Sequence, residues 1–142
     1  IQYYEATYGE HLKIVANLDN TLQMYTNKEH LSTALHNVIS NAIKYGHPTK
    51  PEIHISLEEK HANILINIED NGGGIPKEHQ KLIFEKFHRV PSDTHMVKGL
   101  GIGLYHAKRL LQKLNGDISL ERSTSSGSHF RIHLNKRSAY EA

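Results

Sequence analysis

Three polar residues, Asn37, Asn41 and Lys44, stand four and three positions apart, so at 3.6 residues per turn they share one face of a helix. Two carboxamides and an ammonium at that spacing offer oxygen ligands for a hard cation and a positive charge for phosphate, the chemistry of a magnesium-nucleotide site. A solvated helix face uses the same residue types, and these positions alone do not separate the two. A second group bears on the choice. Asp70-Asn71-Gly72-Gly73-Gly74-Ile75 follows directly on an alternating run, which puts a carboxylate at a strand end beside backbone that has no Cβ atoms to hold a ligand away. That carboxylate can accept a hydrogen bond from an exocyclic amine such as adenine's, whereas an ordinary turn would use the same residues for their backbone freedom alone.

A second glycine set, Gly99-Leu100-Gly101-Ile102-Gly103-Leu104, opens a helical pattern. Backbone N–H groups and the positive end of the helix dipole both favour phosphate there. The spacing matches neither the P-loop, which needs Gly-Lys-Ser/Thr, nor the dinucleotide fingerprint, which needs a following βαβ unit. Between the two sets lies Ile83-Phe84-Glu85-Lys86-Phe87-His88-Arg89. Phe84 and Phe87, three apart, share one buried face. The polar stretch beyond them, with Arg89 near its start and Lys98 at its end, has the composition of a lid carrying cations to a polyphosphate, or of a plain surface loop.

Positioning these groups requires a set of elements that the hydrophobic periods supply. Leu12–Leu18 and Thr21–Tyr25 read as a short hairpin across Asp19-Asn20. From His30 to Tyr45 the apolar residues Leu31, Leu35, Val38, Ile39 and Ala42 recur at helical intervals and stop at Gly46 and Pro48. Ile53, Ile55 and Leu57, then Ile64, Ile66 and Ile68, alternate as two strands with a turn around Glu59-Lys60-His61. Residues 77–87 read as a short helix. Leu104, Ala107, Leu111 and Leu114 mark another helix, capped by Asn115-Gly116. Ile118 and Leu120, then Phe130, Ile132 and Leu134, form a closing strand pair around the turn at 123–128. The order gives an α+β fold: a two-layer α/β sandwich, its mostly antiparallel sheet packed against helices on one face.

Composition sets outer limits. The 142 residues, 37% of them hydrophobic, are the size of one domain spanning 1–142 with enough apolar material for a core. No apolar run approaches the roughly 20 residues of a membrane span, so direct membrane contact is not expected. The absence of cysteine excludes disulfides and thiolate metal sites and accords with a cytoplasmic setting. A net charge of +2 without a basic stripe argues against a nucleic-acid partner. None of the 12 histidines falls in a metal-ligand spacing such as H-E-x-x-H.

Taken in order, the motifs resemble the ATP-binding catalytic domain of sensor histidine kinases, within the wider Bergerat ATPase class, over nearly the whole chain. The string from Leu35 to Tyr45 looks like the N box, Asp70–Ile75 and Gly99–Leu104 like the two glycine boxes, and Ile83–Arg89 like the F box. The resemblance implies that Asn41 is the principal protein ligand of Mg2+, with Asn37 beside it. It implies that Lys44 and Arg89 touch phosphates, with Lys98 a further contact, and that Tyr45 stacks on adenine. Asp70 would accept the adenine amino group, Gly72, Gly74 and Ile75 would border the base, and Gly101 and Gly103, flanked by Gly99, Leu100 and Leu104, would approach the phosphates. One motif departs from the family pattern Gly-Thr-x-Phe, reading Gly127-Ser128-His129-Phe130, so that a serine hydroxyl would have to serve near Asp70. Gyrase-type relatives carry a glutamate base where Asn37 stands, and an amide there favours phosphotransfer over hydrolysis.

The activity so implied is donation of the ATP γ-phosphate to a histidine. No histidine here is followed by an acidic residue, as the family's acceptor motif would require. The acceptor and dimerisation helices are therefore expected N-terminal to Ile1, with a response regulator downstream and a cytoplasmic location for the domain, whether or not the parent protein crosses a membrane. Three alternatives stand beside this one: a regulatory nucleotide-binding module without transfer, a gyrase- or repair-type ATPase, and a serine kinase of the anti-sigma type.

Overall fold

The computed structural model describes residues 12–18, 24, 26–86 and 103–136. Its elements are β1 (Lys13–Asn17), α1 (Lys28–Lys44), β2 (Glu52–Lys60), β3 (Asn63–Asp70), a 3-10 turn (Lys77–His79), α2 (Gly103–Lys113), β4 (Asp117–Thr124) and β5 (Gly127–Asn135).

Helix α1 begins where the Asn27 side chain accepts the His30 N–H at 3.1 Å, satisfying one of the amides a helix start leaves open. Glu29 in the first turn and Lys44 in the last complement the dipole. Ala34, Val38, Ile39, Ala42 and Ile43 are buried, whereas Leu31 and Leu35 pack only partly against the core. The apolar stripe thus keeps the expected face, with Val38, Ile39 and Ala42 common to both, and it is most deeply buried in the C-terminal half of the helix.

The five strands are ordered β1-β2-β3-β5-β4. β1 pairs parallel with β2, and the other three pairings are antiparallel. Parallel neighbours need a long crossover, and α1 is the element that makes it. The expected hairpin partner of β1, Thr21–Tyr25, lies outside the described residues except for Met24. The β2–β3 turn falls one step later than expected, at His61-Ala62, with His61 at φ 58°. Between 77 and 86 the chain makes a 3-10 turn and further turns rather than a helix, and of its consecutive apolar residues Leu82, Ile83 and Phe84 it buries Ile83.

Isoleucine-rich strands supply the sheet side of the core. Ile53, Ile55, Ile64, Ile66, Ile68, Ile118, Phe130, Ile132 and Leu134 lie under α1 and α2, which adds Leu104, Ala107, Leu110 and Leu111. Phe84 meets Phe130 edge to face at 6.2 Å between centroids, which anchors the segment leading out of the 3-10 turn. Lys108 lies over the Phe84 ring at 5.1 Å and pairs with Asp117 at 2.6 Å, so one ammonium joins α2, β4 and that anchor. On the opposite sheet face Asn67 is buried because its Oδ1 accepts from Arg131 Nε at 2.9 Å and from His129 Nε2 at 2.8 Å.

α2 ends as the Asn115-Gly116 pair predicts. Asn115 adopts φ 57°, its N–H bonds to the Gln112 carbonyl, and the Gly116 N–H bonds back to the Leu111 carbonyl at 2.8 Å, the two bonds of a Schellman motif.

Candidate functional site

The last turn of α1 and the glycine-rich turn after β3 are in direct contact. A Cβ on Gly72 would overlap the carbonyl oxygen of Tyr45, the residue that caps α1. Glycine is required here for close approach, and the approach places Asp70 beside the helix end that carries Asn41 and Lys44. Asn71 fixes the same junction from the side. Its Oδ1 accepts the Glu52 N–H at 2.8 Å and the His47 N–H at 3.4 Å, and its Nδ2 donates to the Lys50 carbonyl at 3.0 Å. The whole α1–β2 connection is thereby tied to the glycine turn.

Asp70 is the chemically distinctive group. Its Oδ1 accepts the Gly72 N–H at 2.9 Å and the Ser128 N–H at 3.3 Å. Burial pushes its carboxyl up from 3.8 to about 6, against the pull of those two hydrogen bonds. Among the described residues Oδ2 has no partner. A carboxylate held at one oxygen by backbone and left open at the other keeps acceptor capacity to spare.

The β4–β5 turn closes the other side. Gly127, at φ +132°, packs so tightly on Asp70 that a Cβ would overlap the Asp70 carbonyl oxygen. Ser128 is buried, and it corrects the expectation for its motif: its backbone N–H reaches Asp70, while its hydroxyl lies 2.8 Å from that of Ser123. Ser123 Oγ also accepts the Ile75 N–H at 2.7 Å. A cavity of about 520 Å3 opens beyond this pair, lined by the glycine turn from Gly73 to Ile75, by Lys77 and Gln80, and by Ser123–Ser125. Neither Asp70 nor Asn41 lines it.

On α1, Asn41 is half-buried, and among the described residues its carboxamide has no hydrogen-bond partner. Asn37 faces α2, its Nδ2 3.4 Å from His106 Nδ1. Lys44 is exposed. From the second glycine set, Gly103 starts α2 in open space, and Leu104 goes into the core rather than toward a ligand. Arg89, Lys98, Gly99, Leu100 and Gly101 lie outside the described residues, as does Phe87. The structure therefore links Tyr45, Asp70, Gly72, Gly74, Ile75 and Ser128 around the junction of α1, the glycine turn and β5, with Asn41 one turn back along α1 from Tyr45. Asn71, Ser123 and His106 were given no role from sequence, and Gly127 was named only as the first residue of its motif. Asn71 stood inside the glycine motif without any sign of its partners, and Ser123 in a serine tract without any sign at all.

A family model described as histidine kinase-, DNA gyrase B-, and HSP90-like ATPase matches residues 26–138. The chain belongs to this ATPase family. Sensor protein RprX of Bacteroides fragilis is 34% identical over 125 residues, covering 86% of this chain and 24% of RprX. The ATPase-family chain thus spans about a quarter of that relative's length. The solved mycobacterial sensor histidine kinase MprB superposes with a TM-score of 0.80 at 21% identity, covering 96% of this chain and 91% of that one. Full-length ShkA, solved in complex with AMPPNP, gives a TM-score of 0.79 at 19% identity over 97% of this chain and 28% of its own. At those identities the superpositions establish the shared α+β fold, and the resemblance to histidine kinase catalytic domains holds in both sequence and structure.

Proposed function

We propose that this ATPase-family domain binds Mg·ATP at the α1–glycine-turn junction and donates the γ-phosphate to a histidine on a separate dimerisation and phosphoacceptor domain, from which a response regulator draws it. The observation that carries the reading is Asp70, desolvated, held at Oδ1 by two backbone N–H groups and open at Oδ2. The adenine amino group fits that open oxygen, with Tyr45, Gly72, Gly74 and Ile75 beside the base.

The metal also fits the residues present. Magnesium is held by few protein oxygens together with phosphate oxygens and water, and the half-buried Asn41 carboxamide, without a partner among the described residues, is such an oxygen. When bound, the ion neutralises charge on the triphosphate. Lys44 adds an exposed ammonium on the same helix face, and Gly101, Gly103, Arg89 and Lys98 are assigned to the phosphates from the motif pattern. Asn37, an amide already engaged with His106, is no base for water. What remains for the protein is positioning and charge stabilisation, which is most of what phosphoryl transfer asks of an enzyme.

The test mixes this chain with the histidine-bearing helical domain of its own full-length protein and ATP labelled at the γ-phosphate. Label should appear on a histidine of the added domain in acid-labile form. Release of free phosphate with no protein labelling would contradict the reading and favour the hydrolytic relatives.

A further inference from the structure

We propose that Ser123 is a positioning residue for the nucleobase, acting through Ile75 and Ser128 on the carboxylate of Asp70; the proposal rests on the ATP reading of this site. Ser123 and Ser128 are partners across the β4–β5 ladder, and their hydroxyls are 2.8 Å apart. The Ser123 oxygen also accepts the Ile75 N–H at 2.7 Å. Ser128, on the far side of the pair, donates its backbone N–H to Asp70. One hydroxyl therefore joins the far end of the glycine turn, the start of β5 and, at one remove, the group that would read the base.

Two further features make this clip necessary. Gly74, at φ +83°, lies so close to β4 that a Cβ would overlap the Thr124 carbonyl oxygen, so the glycine turn reaches Ser123 only by a backbone path that other residues do not take. The near end of the turn is fixed separately, by Gly72 against Tyr45 and by Asn71 against the α1–β2 connection. Ser123 holds the end that neither of those reaches. Without its oxygen the Ile75 N–H loses the described acceptor, Ser128 loses its hydroxyl partner, and the start of β5, which carries the second N–H donor to Asp70, loses one of the contacts that hold it.

A serine that merely closes a β-ladder would affect all ligands alike, which gives the test its form. Calorimetric titrations with Mg·ATP and with Mg·ITP, whose base lacks the amino group, are compared for wild type, Ser123→Ala and Ser123→Thr. Ser123→Ala should weaken ATP binding about tenfold and leave ITP unchanged, and Ser123→Thr, which keeps the hydroxyl, should restore the preference to within about twofold. An unchanged ATP-to-ITP ratio in Ser123→Ala overturns the proposal, whether both affinities stay the same or both fall together; should that variant fail to fold, Ser123→Cys, whose thiol is only a weak hydrogen-bond partner, is read against the same two outcomes. If wild type itself fails to bind ATP, the reading of the site falls first, a result distinct from these.

Discussion

Asp70→Asn is expected to make the empty domain more stable at neutral pH and to remove its recognition of ATP. The carboxyl titrates at about 6 in the folded chain against an ordinary 3.8. The folded state therefore binds this proton more tightly than the unfolded chain, so stability is lost as pH rises from about 4 to about 6, and the full deficit persists above that. The difference corresponds to roughly 3 kcal/mol of ionisation cost at neutral pH. Asparagine keeps an oxygen for the N–H groups of Gly72 and Ser128 and carries no charge to desolvate. Denaturation at pH 7.5 should show the variant more stable by about 1–3 kcal/mol, with the gain vanishing near pH 4. Its Nδ2, standing where Oδ2 was, would face the adenine amino group donor to donor, and ATP affinity should fall by about 100-fold or more. In wild type, ATP affinity should decline as pH drops through 6 and the carboxyl takes up its proton. A variant that is less stable and binds ATP normally would contradict both halves.

Asn41→Ala should give the second large effect. Removing a direct metal ligand costs no less than removing the groups that orient one, so magnesium-dependent ATP affinity should fall on the order of 100-fold. The fold should not suffer. The Asn41 carboxamide has no partner among the described residues, and alanine is the better helix former, which adds about 0.5 kcal/mol in an interior position of α1. Circular dichroism melts and magnesium-dependent titrations of the same protein separate the two effects, and unimpaired affinity would refute the assignment. With Asp70, this makes two site residues whose replacement relaxes the scaffold, a pattern expected where local stability gives way to ligand chemistry.

How much of this the sequence shows depends on whether a feature is local. The α1 stripe, the Ile-rich strands and the Asn115-Gly116 stop are periodic or conformational signals within a few residues, and each reappears in the structure. The parallel pairing of β1 with β2 is set by a crossover running from residue 18 to residue 51, and no local pattern encodes it. The turn at His61-Ala62 missed by one step because a histidine at φ 58° carries no glycine or proline to mark it. At the site, the glycine spacing around Asp70 points to a backbone needing close approach, and Gly72 and Gly74 both make one. What touches them is not in the spacing. The Tyr45 carbonyl, the Asn71 staple and the Ser123–Ser128 pair come from elements brought together only by folding. The motif reading gave Ser128 a hydroxyl role at Asp70, whereas its backbone reaches the carboxylate and its hydroxyl goes to Ser123.

The most direct test of the central claim is a calorimetric titration of the wild-type chain with ATP and with GTP, each in magnesium and in excess chelator. A junction built around Asp70 and Asn41 predicts saturable binding of one ATP that needs the metal, with GTP weaker by about 50-fold or more, because the guanine edge presents a carbonyl oxygen to the carboxylate. Equal affinity for the two nucleotides, or ATP binding indifferent to magnesium, would contradict it.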